Sequence, residues 1–255
     1  VTGRAIEEGV PSDLVTAIDV GPDGQRWMYV RGQGRLTNLD RKRRLVDDLT
    51  PPPFELFHDT TPAGLSCASC HPEGQDDGHV WNFVGLGERR TQNLAGGLSE
   101  RAPFHWDSEF DTLDSLMSDV FAVRMGAGFV YPHESDALAG WLDGIRPLRS
   151  RPPETGLVGL GRTVFEREDV GCLTCHQGRQ LADAAMHEVR PGDPAFKTPS
   201  LLGVGARAPY MHDGCAETLE ARFTDPDCGG GDQHGQTSQL SPQELDALVA
   251  YLRTL

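Results

Sequence analysis

Near the end of the chain, Leu245, Leu248, Val249 and Leu252 recur at helical spacing and fall on one face. Ser241 can cap such a helix, Pro242 suits its first turn and Glu244 completes a capping box, so the pattern predicts a helix with one face to bury. Pro132, Glu134, Asp136-Ala137-Leu138, Trp141 and Leu142 follow the same order as Pro242, Glu244, Asp246-Ala247-Leu248, Tyr251 and Leu252. The start of the chain is patterned differently. Leu14 to Val20 and Arg26 to Val30 are β-rich runs around Gly21-Pro22-Asp23-Gly24, which predicts strand, turn and strand. A lone hairpin is barely stable in water, so this segment either packs on the remainder or ends a larger upstream β domain, such as the last blade of a propeller.

The two closing helices belong to a longer repeat. Arg90-Thr91, Ala102-Pro103-Phe104-His105-Trp106-Asp107 and Asp111-Thr112-Leu113-Asp114 precede the first. Lys197-Thr198, Ala208-Pro209-Tyr210-Met211-His212-Asp213 and Glu217-Thr218-Leu219-Glu220 precede the second, in the same order. The expected organisation is a β segment over residues 1–50 and two units of similar size over 51–150 and 151–255, joined near Arg146-Pro147 to Pro152-Pro153. Arg41-Lys42-Arg43-Arg44 reads first as a solvated linker and second as a dock for an acidic partner.

Each unit opens on the same chemistry. Cys67-Ala-Ser-Cys70-His71 and Cys172-Leu-Thr-Cys175-His176 are two copies of CxxCH. In that pattern two thiols take thioether bonds to haem vinyl groups and the following His coordinates the iron. Two haem c groups are therefore expected; zinc is the lesser alternative, since it wants four ligands at tetrahedral spacing. The formal net charge of −15 argues against nucleic acid or an anionic bilayer as partner, and no apolar run approaches a membrane span. Covalent haem attachment points to a periplasmic or extracellular bacterial location. There Cys215 and Cys228, 13 residues apart, could close as a disulfide, with two free thiols as the alternative. The chain opens at Val1 without an initiator Met or a signal sequence, which reads as a mature or excised product.

The repeat also nominates the sixth iron ligands. Met125-Gly126 lies eleven residues before Asp136 and His234-Gly235 twelve before Asp246, so equivalent loops offer Met125 and His234, both good haem ligands. The expected pairs are His71/Met125 and His176/His234. Rivals are His79 and His105 for the first iron, and Met211 and His212 for the second.

Phe196-Lys197-Thr198-Pro199-Ser200-Leu201 through Ala208-Pro209-Tyr210-Met211-His212-Asp213-Gly214, followed by Thr218-Leu219-Glu220 and the Leu240-Ser241-Pro242 helix, resembles the second haem domain of the bacterial di-haem cytochrome c peroxidase and MauG family. The resemblance covers both haem units and not residues 1–50. It implies a mainly α fold with two tandem cytochrome c-like haem domains, here behind a short N-terminal β segment. It also implies haems facing a shared interface where a calcium ion often sits, a first domain that reacts with peroxide and a second that passes electrons. Trp106 matches the family's Trp-Asp-Gly element, whose Trp lies between the haems, which makes it a candidate electron relay.

One departure bears on activity. Peroxidatic members carry a Glu in a Val-Glu-Met-Gly-like stretch, where this chain has Val123-Arg124-Met125-Gly126. Arg cannot take up a proton at working pH, and Met125 would fill the position that peroxide needs. His/Met ligation would also set the first haem at a higher potential than a bis-His second haem. The expected function is transfer of electrons between redox partner proteins. The alternative is a di-haem peroxidase using hydrogen peroxide, with Asp119, Glu109 or His105 in place of the absent Glu.

Overall fold

The computed structural model describes residues 15–21, 23–30, 35–40, 43–46, 52–150 and 156–255. Val1, Leu14, Pro22, Arg41, Lys42 and Arg151 to Pro153, which figure in the sequence reading, lie outside the described residues. The chain forms two compact units, Val1–Leu56 and Phe57–Leu255. No helix among the described residues is long and apolar enough to cross a membrane.

The first unit holds an antiparallel sheet in the order β1 (Val15–Val20), β2 (Arg26–Val30), β3 (Arg35–Asn38) and β4 (Arg43–Val46). The expected hairpin is its first half, with Asp19 opposite Trp27. Gly21 N donates to Gln25 O at 2.8 Å, and Gly24 takes the left-handed φ of 76° that the turn requires. Arg26 and Asp40 pin the start of β2 to the turn after β3, Nη2 to Oδ1 at 2.6 Å. Strands β3 and β4 were not expected: the segment read as a basic linker places Arg43 and Arg44 in β4.

The second unit is mostly helical and contains both repeats. Helix α1 (Pro52–His58) runs across the boundary at Leu56, and the second unit continues through α2 (Cys67–Cys70), the hairpin β5 (Val80–Phe83) and β6 (Gly87–Arg90), α3 (Leu113–Leu116) and α4 (Pro132–Asp143). The second repeat runs through α5 (Val158–Phe165), a single turn at Cys172–Thr174, two-residue strands β7 (Met186–His187) and β8 (Phe196–Lys197), α6 (Leu219–Thr224) and α7 (Pro242–Leu252). Caps agree across the repeat: Thr112 Oγ1 accepts from Ser115 N at 3.1 Å, and Thr218 Oγ1 from Ala221 N at 3.0 Å. The Ala102–Pro103 and Ala208–Pro209 bonds are both cis, and His105 and Met211, two residues after each proline, both take positive φ.

Both closing helices form as patterned. In α7, Ala247, Leu248, Val249 and Leu252 are buried with Val164, Phe165, Val170 and Leu219. Glu244 Oε2 accepts from Ser241 N at 2.9 Å, which completes the cap that the sequence announces. Phe165 packs on Tyr251 at 5.4 Å between ring centroids, and Phe57 on Trp141 at 5.1 Å in the equivalent place.

A pseudo-two-fold exchange joins the repeats. Arg90 N donates to His212 O at 2.6 Å, while Lys197 N, its repeat equivalent, donates to Trp106 O at 2.7 Å. Their side chains repeat the exchange. Arg90 Nη2 reaches Arg207 O at 2.7 Å, and Lys197 Nζ reaches Arg101 O at 2.6 Å and Pro103 O.

Candidate functional site

Each CxxCH segment is one helical turn. His71 N donates to Cys67 O and His176 N to Cys172 O, both at 2.9 Å, so two thiols three residues apart share a side of the turn and the His ring follows. The ring nitrogens are assigned by their neighbours: His176 Nδ1 donates to Leu181 O at 2.9 Å and His71 Nδ1 to Gln75 O at 3.4 Å. That leaves Nε2 of each ring for a metal, with a carbonyl fixing its orientation from the other side. Burial holds His71 and His176 below the ordinary imidazole range, so both are the neutral form that ligates.

The second segment faces His234. The His176 and His234 rings lie 6.0 Å apart between centroids, tilted by 30°. An imidazole nitrogen bonds a first-row metal at about 2 Å, so two imidazoles holding one ion from opposite sides put their centroids about 6 Å apart. His234 Nδ1 is buried without a hydrogen-bond partner, and burial, then the charge of Arg222, pushes this ring well below the usual imidazole value. The donor set fits an iron between two histidines. Three further groups hold the His234 loop. Gln236 N donates to Val170 O at 2.9 Å, two residues before Cys172. Arg222, 6% exposed, donates from Nη1 to Gly229 O at 3.0 Å and from Nη2 to His234 O at 3.3 Å. The Cys215–Cys228 disulfide, with a Cα–Cα distance of 5.7 Å, ties the same loop to the segment carrying His212. Sequence reasoning missed Arg222, because an arginine between Ala221 and Phe223 carries no signal of burial.

In the first repeat, α3 continues into a π-helix over Met117–Arg124, and Met125 N donates to Val120 O at 2.9 Å. Such registers recur at functional sites because they re-aim the side chains that follow. Ala63 N donates to Met125 O at 3.2 Å, which ties Met125 to the loop four residues before Cys67. It mirrors the link between Gln236 and Val170. Arg124 is held on both sides, by Glu109 through Nη2 and by Asp119 Oδ2 at 2.6 Å from Nε. Glu109 also pairs with His105 Nδ1 at 3.0 Å. The three groups considered as replacements for the family Glu therefore share one cluster with Arg124.

The rival ligands have other partners. His79 lies edge-on to Trp81 at 4.5 Å, and His105 is engaged by Glu109 and Phe110. His212 stacks on Phe196 at 4.0 Å between centroids.

Trp106 sits where the repeats exchange hydrogen bonds. Its Nε1 donates to Arg90 O at 2.8 Å, and its ring lies 6.2 Å from Phe196 and 6.4 Å from His212, its own repeat equivalent. Four cations surround this interface: Arg90, Lys197, Arg101 and Arg207. Burial lowers Arg101 and Arg207 to about 10 and, with Arg101 second, Lys197 to about 8. Arg90 Nε and Arg207 Nε are buried donors without a partner, which suits the carboxylates that haem brings as propionates. The same surroundings do not suit calcium, which takes six to eight oxygens at about 2.3–2.6 Å. The carboxylate and carbonyl oxygens gathered here, Asp76 Oδ1, Arg207 O and Ala208 O, are engaged by Arg90 Nη2 at 2.8, 2.7 and 3.4 Å.

Residues 158–255 match the Cytochrome c family. The chain is 27% identical over 254 residues to hydrazine synthase subunit gamma of Kuenenia stuttgartiensis, covering 74% of this chain and 72% of that protein. It is 26% identical over 264 residues to the methylamine utilization protein MauG of Methylorubrum extorquens, covering 75% and 72%. A crystal structure of the diheme peroxidase BthA from Burkholderia thailandensis superposes with a TM-score of 0.54 at 17% identity, covering 94% and 95%. That last likeness speaks to the fold alone. Together with the CxxCH segments, the Cytochrome c match and the similarity to MauG make covalently bound haem c the group this chain carries.

Proposed function

We propose, from its likeness to the di-haem cytochrome c peroxidase/MauG-like family, that the chain carries two haem c groups and passes electrons between redox partner proteins in the periplasm. The observation that carries this reading is the engagement of Arg124 by Glu109 and Asp119. A guanidinium stands where the family's proton-transferring carboxylate would be, and it ties up the nearest carboxylates. Haem c, when bound, supplies one-electron chemistry at its iron. The chain's own residues do the rest. His71 and Met125 would hold one iron and His176 and His234 the other, while the two cysteines of each CxxCH would fix its haem in place. Trp106, Phe196 and His212 fill the interface with aromatic rings, the surroundings expected of an electron relay. The disulfide supports an oxidising compartment.

The second reading, a peroxidase, is favoured by the contact between His105 and Glu109, since a carboxylate and an imidazole in hydrogen-bond reach can move a proton. Absorption and magnetic spectra of both oxidation states separate the two. Electron transfer predicts two low-spin irons, loss of the thioether signal in Met125→Ala, and negligible peroxide-driven oxidation of a reduced donor. A high-spin iron with rapid peroxide turnover that Glu109→Gln abolishes would replace this reading with the peroxidase. A Met125→Ala spectrum identical to wild type would remove Met125 from the iron.

A further inference from the structure

We propose that the interface between the two haem-carrying repeats is bridged by the chain's own cations, with Arg90 holding the interface oxygens that a calcium ion would need, so that the repeats hold register without a metal ion. Two repeats meeting across a pseudo-two-fold present each other with backbone carbonyls, and carbonyls turned inward need a hydrogen-bond donor or a cation. A hard divalent ion is one solution, built from carboxylate and carbonyl oxygens. This chain has another. Asp76 Oδ1 from the first repeat and Arg207 O and Ala208 O from the second converge on one atom, Arg90 Nη2, at 2.8, 2.7 and 3.4 Å. Arg90 is 6% exposed, and the Asp76 side chain that pairs with it 5%. These acceptors are therefore satisfied by the guanidinium rather than by solvent.

The repeat equivalent makes the same contact with the other cationic side chain. Lys197 Nζ, on a residue 5% exposed, reaches Pro103 O and, at 2.6 Å, Arg101 O, the counterpart of the Arg207 O that Arg90 holds. Two single charges, one from each repeat, thus do on either side of the axis what one double charge would do between them. An added calcium would have to displace Arg90 and then sit among Arg90, Lys197, Arg101 and Arg207, all of one sign, in surroundings that screen poorly. Asp76 Oδ2, buried without a partner, offers it one oxygen where it wants six to eight. Arg90 acts as a positioning residue. Its main-chain N–H holds His212 O and its carbonyl holds Trp106 Nε1, so its placement also sets the aromatic rings between the repeats.

The proposal rests on the two-haem reading only in naming what the bridge joins, and its test is indifferent to electron transfer or peroxide turnover. Haem-loaded protein at neutral pH is analysed for metal content before and after dialysis against EDTA, and its melting midpoint and absorption spectrum are followed with added calcium. Wild type and Arg90→Lys are expected to carry substoichiometric calcium and to show no change with either reagent. Arg90→Ala is expected to melt lower after EDTA treatment and to recover part of that loss with calcium, which can then reach Asp76 and the two carbonyls. One calcium per wild-type chain, stripped by EDTA with a fall in the midpoint or a spectral shift, overturns the proposal. So does an Arg90→Ala protein as stable as wild type without calcium, or a destabilised one that calcium does not rescue. If Arg90→Ala does not fold, metal analysis of wild type and Arg90→Lys still decides.

Discussion

Asp213 shows how single side chains in this protein are set by their neighbours. Burial alone would raise its carboxyl, but a hydrogen bond from Arg190 at 2.7 Å, the charge of His212 and the Cys215 amide outweigh burial and hold it below its ordinary value of 3.8. A carboxyl lowered in the folded state contributes stability that is complete above 3.8 and is lost as pH falls through the folded value. Asp213→Asn should therefore cost about 1.5–3 kcal/mol at neutral pH, the range for a hydrogen bond to a charged group. The difference from wild type should shrink below pH 3.8. Denaturant unfolding across that window measures it, and a difference that stays constant with pH would mean that the charge contributes nothing. At this scale the sequence was legible where residue type dictates chemistry: two CxxCH segments, the pairing of Cys215 with Cys228, and the Arg at position 124. It was silent on Arg222, whose role comes from the carbonyls of Gly229 and His234 folding around it.

Among the elements, α5 and α7 lie closer together than two helices with ordinary side chains at the crossing could. A Cβ at Gly161 would run into the carbonyl of Ala247 and lie 2.8 Å from Cβ of Tyr251. Replacing Gly by Ala in a free helix gains about 1 kcal/mol. Overpacking a filled crossing costs about 1–3 kcal/mol. Backbone and Cβ atoms cannot swing aside, so Gly161→Ala should lower the melting midpoint despite the better helix former. A raised midpoint would show that the crossing relaxes. Helices α4 and α7 could be read in advance because caps and an apolar stripe are local signals. Strands β3 and β4 could not, since Arg-Leu-Thr-Asn and Arg-Arg-Leu-Val are short and polar, and their pairing with neighbours makes them strands. The π-helix that ends beside Met125 was equally invisible, because no residue in Met117–Arg124 breaks a helical pattern.

The repeats lie within one compact unit, Phe57–Leu255, and the exchange across the pseudo-two-fold gives a physical reason for that. The amides of Arg90 and Lys197 each donate to a carbonyl of the opposite repeat, His212 O and Trp106 O. The buried side chains of the same two residues cross as well, so neither repeat can pull away without exposing carbonyls and cations of both. Opening one repeat alone would leave buried polar groups unmet, at about 1–3 kcal/mol each. Four such bonds make that route costlier than joint unfolding. Hydrogen exchange of the haem-loaded protein should then find the Arg90 and Lys197 amides protected to the same degree, at the level of global unfolding. Amides such as Leu86 N, which bonds within the turn of the β5–β6 hairpin, should exchange sooner. Separate protection levels for Arg90 and Lys197 would mean that the repeats open as independent domains, and the interface cations would then be a local ornament of each half rather than the link between them.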